Sequence, residues 1–273
     1  MTGMMLEQSK QDGVTTLTMN TPRRLNGWTM EMMDALKDGF KAAALDDETR
    51  VLVLTGADPY YCAGVNLSAI LGPQHPRKLH ALIVEQNQAL FDMFLDFPKP
   101  VLIAVNGPAI GASVTSATLC DGIIASEKAT FSTPFAALGV TPEGCSSVHF
   151  ARIMGESNAE RMLGDEGWKP TAKEALDAGL VQWVVPHEKL EKEARRIARE
   201  WVETDAVRSF RGGSSREELK IVNANESAKL ADAFLSAPFI KSQFRFLWSK
   251  NKRGPAAMFL FMLISRPVWS RFL

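Results

Sequence analysis

The sequence predicts an α/β protein in which strands alternate with helices to form a core of stacked β and α units. Two short apolar runs, residues 51–54 and 101–105, are typical of parallel strands that are buried on both faces. Residues 80–97 lie between these runs and have helical periodicity, and the prolines at 98 and 100 end this helix. Such alternation is characteristic of α/β folds.

The N-terminal elements follow the same rhythm. Residues 14–19 alternate between apolar and polar side chains, which predicts a strand. Residues 26–44 predict a helix, because four apolar side chains recur at helical spacing: Met30, Met33, Leu36 and Phe40.

The chain changes character near residue 190. Charges in residues 191–204 follow helical spacing, and residues 211–215 contain two glycines and two serines, which predicts a flexible joint. Two or three further helices fill the remainder of the chain. We therefore predict two parts, a core of residues 1–205 and a C-terminal helical region of residues 206–273.

Composition narrows the class of protein. The chain has 273 residues, 46% of them apolar, with 31 basic and 31 acidic side chains, so it can bury a large core but has no net field to gather nucleic acid. Three cysteines are too few for a disulfide framework. The four histidines show no metal-ligand spacing, so we expect no metal. We also expect no integral membrane segment, because no apolar run approaches the ~20 residues of a spanning helix.

We expect a cytoplasmic protein, with the peroxisomal matrix as the alternative. The N-terminus lacks the basic start and apolar run of a signal peptide. The last three residues, Arg-Phe-Leu, differ from a Ser-Lys-Leu-type peroxisomal address. An apolar segment, residues 255–264, follows a basic run, and docking onto a partner subunit is favoured over binding to a membrane surface.

Glu143 is the most informative residue, because it lies in a long apolar stretch punctuated by glycines. Between Asp121 and Glu143 the only other carboxylate is Glu127, which we interpret as a surface residue of a polar turn beside Lys128. One isolated carboxylate suggests a proton shuttle. A negative charge at the start of a helix is also favoured by the helix dipole, so the local pattern leaves a structural role open.

Two glycine turns accompany this carboxylate. Residues 60–67 follow the strand that ends at Leu54, and residues 106–114 follow the strand that ends at Val105. Glycine at such a turn leaves backbone amides unpaired at the start of the next helix, and two such amides aimed at one point would bind an anion. Each turn alone could be an ordinary strand-to-helix connection, and neither matches a dinucleotide-binding or phosphate-binding glycine motif.

Four segments together resemble the crotonase superfamily, also called the enoyl-CoA hydratase/isomerase family: residues 22–26, 62–67, 99–111 and 136–147. The resemblance extends over about residues 5–205 and more loosely over the helical end. It implies a crotonase-type ββα spiral core with a C-terminal helical trimerisation region. It also implies an acyl-CoA substrate, no cofactor beyond the coenzyme A of that substrate, and assembly as a homotrimer or a dimer of trimers.

Within this family, the residues resemble the peroxisomal-type Δ3,Δ2-enoyl-CoA isomerases. The two glutamates of the hydratases match Thr115 and Phe135 here, so both hydratase carboxylates are absent. The single base of the isomerases matches Glu143, and a family asparagine that holds this base matches Asn87. The resemblance therefore implies an enzyme that shifts a 3-enoyl double bond to the 2-trans position during fatty acid β-oxidation.

The resemblance also implies the remaining site residues. The anion hole would use the backbone amides of Val65 and Ala112. Substrate contacts would come from eight residues: Arg24, Leu25, Ala63, Gly64, Asn66, Leu67, Gly111 and Phe135. Four apolar side chains would form a dry wall that raises the pKa of Glu143: Phe131, Phe135, Leu138 and Val140.

Three other functions remain open from the sequence. Cys145 and His149 are four residues apart and could pair as a thiolate nucleophile on one helix face. Another crotonase reaction, such as hydration or thioester hydrolysis, is the main alternative within the enzymes. A non-catalytic protein that keeps only the acyl-CoA pocket is a third alternative, because a fold does not fix a function.

Overall fold

The computed structural model describes residues 4–65 and 75–273. In these residues the main sheet has six strands in the order β1-β2-β3-β4-β6-β8. Its strands are β1 (Leu6–Gln11), β2 (Val14–Met19), β3 (Val51–Gly56), β4 (Val101–Val105), β6 (Gly122–Ser126) and β8 (Trp183–Val185). Strand β1 runs antiparallel to β2, and the other neighbours are parallel. A second, two-stranded sheet pairs β5 (Ala109–Ile110) with β7 (Phe131–Ser132).

Helices surround these sheets. In chain order they are α1 (Met30–Leu45), α2 (Pro76–Leu95), α3 (Ala112–Thr118), α4 (Phe135–Leu138), α5 (Ser146–Met154), α6 (Glu156–Leu163), α7 (Ala172–Asp177), α8 (Leu190–Glu203), α9 (Arg216–Phe234), α10 (Ala237–Ser249) and α11 (Arg253–Trp269). One face of the main sheet packs against α8, through Leu190, Ala194, Ile197 and Ala198. The other face packs against α1 and α2 in the largest core cluster.

The chain repeats one pattern of strand, short strand and helix. Strand β4 is followed by β5 and α3, and β6 is followed by β7 and α4. After β3, Cys62 forms an isolated bridge with Ala109, and Val65 forms one with Trp28, before the chain reaches α2. Each repeat therefore places one strand in the main sheet and one short strand in a second layer, which confirms the predicted ββα arrangement.

Helix α1 begins four residues later than predicted, at Met30. Thr29 caps it, because its side chain accepts a hydrogen bond from the backbone of Met32. Asn26, the predicted start, instead has φ 52° and is fully buried in a turn. Its side-chain amide donates to the carbonyls of Ala57 and Tyr60, both at 2.7 Å. This asparagine therefore organises a loop and does not start a helix.

The other predicted elements are close to those observed. Strands β2 and β4 have the predicted bounds, whereas α2 begins at Pro76 and ends at Leu95, two residues before the predicted end. The exposed edge strand β1 was not predicted.

The C-terminal helical region packs onto the core. The boundary predicted at residue 205 falls between α8 and α9, and α9 lies along α2. The predicted flexible joint, residues 211–215, is held against the core, because the Arg211 guanidinium donates to the carbonyl of Leu180 at 2.8 Å and Ser214 is buried. Residues of α9 therefore reach the same cavity as residues of the core.

Candidate active site

A largely apolar cavity lies where the two glycine turns, α2, α4 and α9 meet. Its lining comprises Met33, Ala63, Gly64, Val65, Ile83, Gln86, Asn87, Leu90, Ile110, Gly111, Ala112, Pro134, Phe135, Leu138, Val140, Glu143, Leu230 and Phe234. Glu143 carries the only ionisable side chain among these described lining residues. The cavity therefore holds one acid–base group in surroundings suited to an apolar ligand.

The two glycine turns lie side by side at one end of the cavity. The backbone N–H of Ile110 donates to the carbonyl of Cys62 at 3.0 Å, and that of Cys62 donates to the carbonyl of Pro108 at 3.2 Å. Gly64 and Gly111 have φ of 87° and 63°. A Cβ atom on Gly64 would lie only 3.0 Å from the Ile110 carbonyl oxygen, so this close approach of two backbones requires glycine.

The residues that follow these glycines are Val65 and Ala112. Ala112 is the first residue of α3, where backbone N–H groups have no partner within the helix. No hydrogen bond from the backbone N–H of Val65 or Ala112 is found within residues 4–65 and 75–273. Both residues line the cavity. The two amides that the resemblance assigned to an anion hole thus belong to residues that line one cavity, and their role stays a prediction.

Glu143 lies in the turn that precedes α5 and is half-buried. Burial is the main reason that its pKa rises from 4.5 to about 8, and repulsion from the Glu226 carboxylate is the second. Three of the four apolar side chains expected around it, Phe135, Leu138 and Val140, line the cavity. The fourth, Phe131, is fully buried in the core and lies outside the lining, so its assignment to the wall was wrong.

Gly144, the residue after Glu143, allows the turn to pack closely against α2 and α3. Gly144 has φ 64°, and a Cβ atom there would collide with the Phe91 ring of α2 and lie 2.7 Å from Oγ1 of Thr115 in α3. Thr115 is fully buried, and its hydroxyl donates to the carbonyl of Ala112 at 3.2 Å. The position that holds a carboxylate in the hydratases therefore packs beside the Glu143 turn as a neutral hydroxyl.

Asn87 lies in α2 and lines the same cavity as Glu143. Its side-chain amide donates to the hydroxyl of Ser227 in α9, at 3.0 Å. A hydrogen bond between Asn87 and Glu143 is absent from the described structure. The role of Asn87 in holding the glutamate stays a prediction that rests on the resemblance.

A second pocket adjoins the cavity and shares Ala63, Gly64 and Val65 with it. Its other lining residues include Arg24 and Lys252. Arg24 and its neighbour Leu25 are exposed, and their contacts to the substrate stay a prediction. Lys252 belongs to the C-terminal region and was not singled out from the sequence. Two other expected contact residues, Asn66 and Leu67, lie outside the described residues.

A second carboxylate, Glu226 of α9, lies behind the Glu143 turn and was missed by the sequence analysis. It is only 4% exposed. Its carboxylate accepts hydrogen bonds from the backbone N–H groups of Cys145, at 2.6 Å, and Ser147, at 2.9 Å, at the start of α5. Burial raises the pKa of Glu226 to about 7, although these hydrogen bonds and Lys229 act in the opposite direction. Within its own helix it resembles a surface glutamate, so no local signal identified it.

The structure excludes a nucleophilic pair of Cys145 and His149. The Cys145 thiol donates to the carbonyl of Leu219 at 3.1 Å, and burial raises its pKa. The two ring nitrogens of His149 contact the Thr118 carbonyl at 3.0 Å and the Ser214 hydroxyl at 3.3 Å. Each side chain is therefore engaged elsewhere, and the thiolate interpretation was wrong.

Residues 4–65 and 75–273 contain no group of three or more His, Cys, Asp or Glu side chains placed to hold a metal ion. None of their helices is both long and apolar enough to cross a membrane.

Comparison with known proteins decides the family. Residues 9–235 match the enoyl-CoA hydratase/isomerase family. The chain belongs to this crotonase family. A solved structure described as an enoyl-CoA hydratase/isomerase from Pseudoalteromonas atlantica superposes with a TM-score of 0.73 at 28% identity, over 90% of this chain and 97% of that chain. This superposition confirms the crotonase fold.

Relatives of this crotonase include named isomerases. Enoyl-CoA delta isomerase 2 of Homo sapiens is 37% identical over 89% of this chain. Enoyl-CoA delta isomerase 3, peroxisomal, of Mus musculus is 31% identical over 89% of this chain and 78% of that protein. The chain spans only 63% of the length of the human relative.

Proposed function

We propose that this crotonase is a Δ3,Δ2-enoyl-CoA isomerase that moves the double bond of a 3-enoyl thioester to the 2-trans position in fatty acid β-oxidation. One observation carries the proposal: among the described residues that line the cavity, Glu143 has the only ionisable side chain, and the backbone amides of Val65 and Ala112 have no hydrogen-bond partner within the described residues. The similarity to enoyl-CoA delta isomerases supports the choice of reaction.

The proposed reaction begins with the acidity of the substrate. The C2 hydrogen of a 3-enoyl thioester lies between a carbonyl and an alkene, so its removal leaves a dienolate whose charge accumulates on the thioester oxygen. The carboxylate of Glu143 takes this proton, and the amides of Val65 and Ala112 hydrogen-bond to the oxygen. Glu143 then returns the proton to C4, so the double bond lies between C2 and C3 and nothing is gained or lost.

The geometry favours this shift over hydration. Hydration requires an activated water, for which a pair of carboxylates facing the substrate is the usual solution. Phe135 lines the cavity at one of the two hydratase positions, and Thr115 occupies the other with its hydroxyl engaged by Ala112. Glu226, the nearby second carboxylate, is not among the lining residues and is held by two backbone amides. A single base facing one side of a bound acyl chain is sufficient for isomerisation.

The adjoining pocket suits the coenzyme A part of the substrate. Arg24 and Lys252 lie at its edge and carry positive charges that could pair with phosphate groups. Ala63, shared by both pockets, lies where the thioester arm would pass between them. We propose no cofactor beyond this coenzyme A.

Assembly as a homotrimer or a dimer of trimers is the proposed state, with α11 as a contact surface. Three apolar side chains of α11, Phe261, Ile264 and Val268, are between 65% and 71% exposed. Contiguous apolar exposure of this kind marks an interaction surface. We propose a cytoplasmic or peroxisomal location; the named mouse relative is peroxisomal.

The proposal is tested by mixing purified protein with 3-cis and 3-trans enoyl-CoA and following the absorbance of the conjugated 2-trans thioester. 2-trans-Enoyl-CoA is tested separately for hydration. Conjugation without formation of a 3-hydroxyacyl product is expected. A 3-hydroxyacyl product or a free thiol without conjugation would replace isomerisation by another crotonase reaction, and binding without turnover would indicate a non-catalytic acyl-CoA-binding protein.

A further inference from the structure

We propose that Glu226 is a positioning residue, which accepts hydrogen bonds from the first amides of α5 and so holds the turn that carries Glu143 beside its own buried carboxylate. This inference rests on the proposed function for its consequence in catalysis. Its structural content, an interaction between the half-buried Glu143 of the core and the buried Glu226 of the C-terminal region, can be tested independently of any activity.

The hydrogen bonds of Glu226 show which part of the backbone it holds. Its two carboxylate oxygens accept from the backbone N–H groups of Cys145 and Ser147, at 2.6 and 2.9 Å. Cys145 is the N-cap of α5 but its side chain forms no capping hydrogen bond, so the first amides of this helix rely on a carboxylate from α9. Glu226 therefore fixes the backbone only two residues beyond Glu143.

The same contacts place the negative charge of the pair on Glu226. Two N–H donors and the start of a helix stabilise the ionised form of a carboxyl group. Glu143 has no hydrogen-bond donor to its carboxylate among the described residues. When the pair holds a single proton, that proton therefore resides on Glu143, and the Glu226 charge raises the pKa of Glu143 further.

Other charged groups on the elements packed around Glu226 do not replace this interaction. Lys229 is exposed on the next turn of α9 and lowers the pKa of Glu226. The remaining groups are Asp92 of α2 with its partner Lys220, the Arg152–Glu218 pair, and His149, whose burial lowers its pKa. Glu226 is the only charged group that contributes to the pKa shift of Glu143.

The exclusion of Glu226 from the cavity decides its role. A carboxylate facing the substrate would be a candidate for a second acid or base, as in a hydratase. Because Glu226 is 4% exposed and both oxygens are engaged by backbone amides, it acts through Glu143 instead. A stronger base is useful here, since it must remove a carbon-bound proton and then, once protonated, deliver it to C4.

The test titrates Glu143 directly by NMR of protein labelled with ¹³C at the glutamate carboxyl carbon. The resonance that disappears in Glu143→Gln belongs to Glu143. In Glu226→Gln, which keeps the shape and removes the charge, the titration midpoint of Glu143 should fall by about one pH unit. In the matched control Glu217→Gln, an exposed residue of the same helix, the midpoint should stay within ~0.2 pH unit. An unchanged midpoint in Glu226→Gln overturns the proposal.

If Glu226→Gln does not fold, a titration of the wild-type protein still tests the proposal. Because the single proton of the pair resides on Glu143, Glu226 ionises first, and the Glu143 resonance should shift slightly at that lower pH before its own main titration step. A Glu143 curve without this earlier shift overturns the proposal without any variant.

A second readout connects the interaction with catalysis. In Glu226→Gln, the acidic limb of the pH profile of kcat/KM should move to lower pH together with the NMR midpoint, an effect that structural damage alone would not cause. If wild-type protein does not isomerise 3-enoyl-CoA but its Glu143 midpoint still falls in Glu226→Gln, the proposed function fails and the interaction stands. If isomerisation is found and neither measurement moves, the role of Glu226 fails and the proposed function stands.

Discussion

Arg208 and Asp121 form a buried ion pair at the junction between the core and the C-terminal region, with 2.8 Å between Nη1 and Oδ2. The two side chains are only 3% and 7% exposed. The guanidinium of Arg208 also donates to the carbonyls of Leu119, at 2.6 Å, and Phe94, at 3.1 Å. Arg208 thus connects the start of the C-terminal region with the ends of α2 and α3 through these hydrogen bonds.

Replacing this arginine should strongly destabilise the protein. Arg208→Met leaves the Asp121 carboxylate buried without its partner, and we expect a loss of about 3–5 kcal/mol in the free energy of unfolding. Urea denaturation measures this loss in the free energy of unfolding. Arg195→Met, which removes an arginine from the exposed pair with Glu191, should leave the midpoint nearly unchanged. Equal losses in both variants would contradict the importance of the junction.

Glu143→Gln should reduce kcat for the proposed isomerisation by ~10²–10⁴-fold or more, because it removes the proposed general base. Binding of 2-trans-enoyl-CoA, measured by calorimetry, should be largely unaffected because the cavity keeps its shape. Glu127→Gln, at an exposed glutamate before β7, is the matched control and should retain full activity. Turnover retained in the Glu143 variant would refute the assigned base.

The stability of the protein should depend on the ionisation of Glu143. Because its pKa is raised from 4.5 to about 8, the folded state holds a proton that the unfolded state loses. The contribution of Glu143 to stability is therefore fully present below pH 4.5 and is lost as the pH rises to about 8. Relative to Glu143→Gln, wild-type protein should lose about 5 kcal/mol across this range in chemical denaturation. A constant difference would mean that Glu143 has an ordinary pKa.

Gly111→Ala should impair catalysis more than stability. Gly111 has φ 63° and ψ −127°, which only glycine adopts without strain, whereas an added Cβ would meet no atom within 4 Å. The expected change is a backbone shift that displaces the Ala112 amide, with a loss of about 10²-fold in kcat. Gly167→Ala, also at positive φ with open space around it, is the control for strain alone. Equal activity in the two variants would argue against an anion hole at Ala112.

Cys145 should resist alkylation in the native protein. Its thiol is fully buried, donates to the Leu219 carbonyl and has a raised pKa, so little reactive thiolate forms. Iodoacetamide at neutral pH should leave isomerase activity intact, and mass spectrometry should find Cys145 unmodified until urea is added. Rapid inactivation with modification at Cys145 would revive a role for this thiol.

The sequence predicted the buried strands β2, β3 and β4, but it missed both the exposed strand β1 and the fully buried strand β6. Strand β4 is apolar throughout and buried at every position, so its bounds follow from composition alone. Strand β1, with five of its six residues exposed, has no such pattern. The late start of α1 could not be predicted, because Asn26 is held by carbonyls more than thirty residues away in the chain.

The residues of the candidate site also differ in whether the sequence could predict them. The glycine turns and Glu143 belong to contiguous motifs, so their positions could be predicted from the resemblance. Glu226 could not, because it contacts a backbone amide 81 residues away and has no motif of its own. The hydrogen bond from Asn87 to Ser227 likewise depends on the packing of α9 on α2, which the sequence does not specify.

Helix α9 both forms part of the cavity wall and supports the start of α5. Leu230 and Phe234 line the cavity one and two turns beyond Glu226, whose carboxylate accepts hydrogen bonds from the α5 amides. Redesign of the acyl pocket on this helix therefore cannot be separated from the alignment of the turn that carries Glu143. A chimera that exchanged the segment after residue 205 with that of a relative would inherit a new pocket wall and a new support for the base together. In this crotonase, the shape of the cavity and the position of Glu143 would therefore have to evolve together.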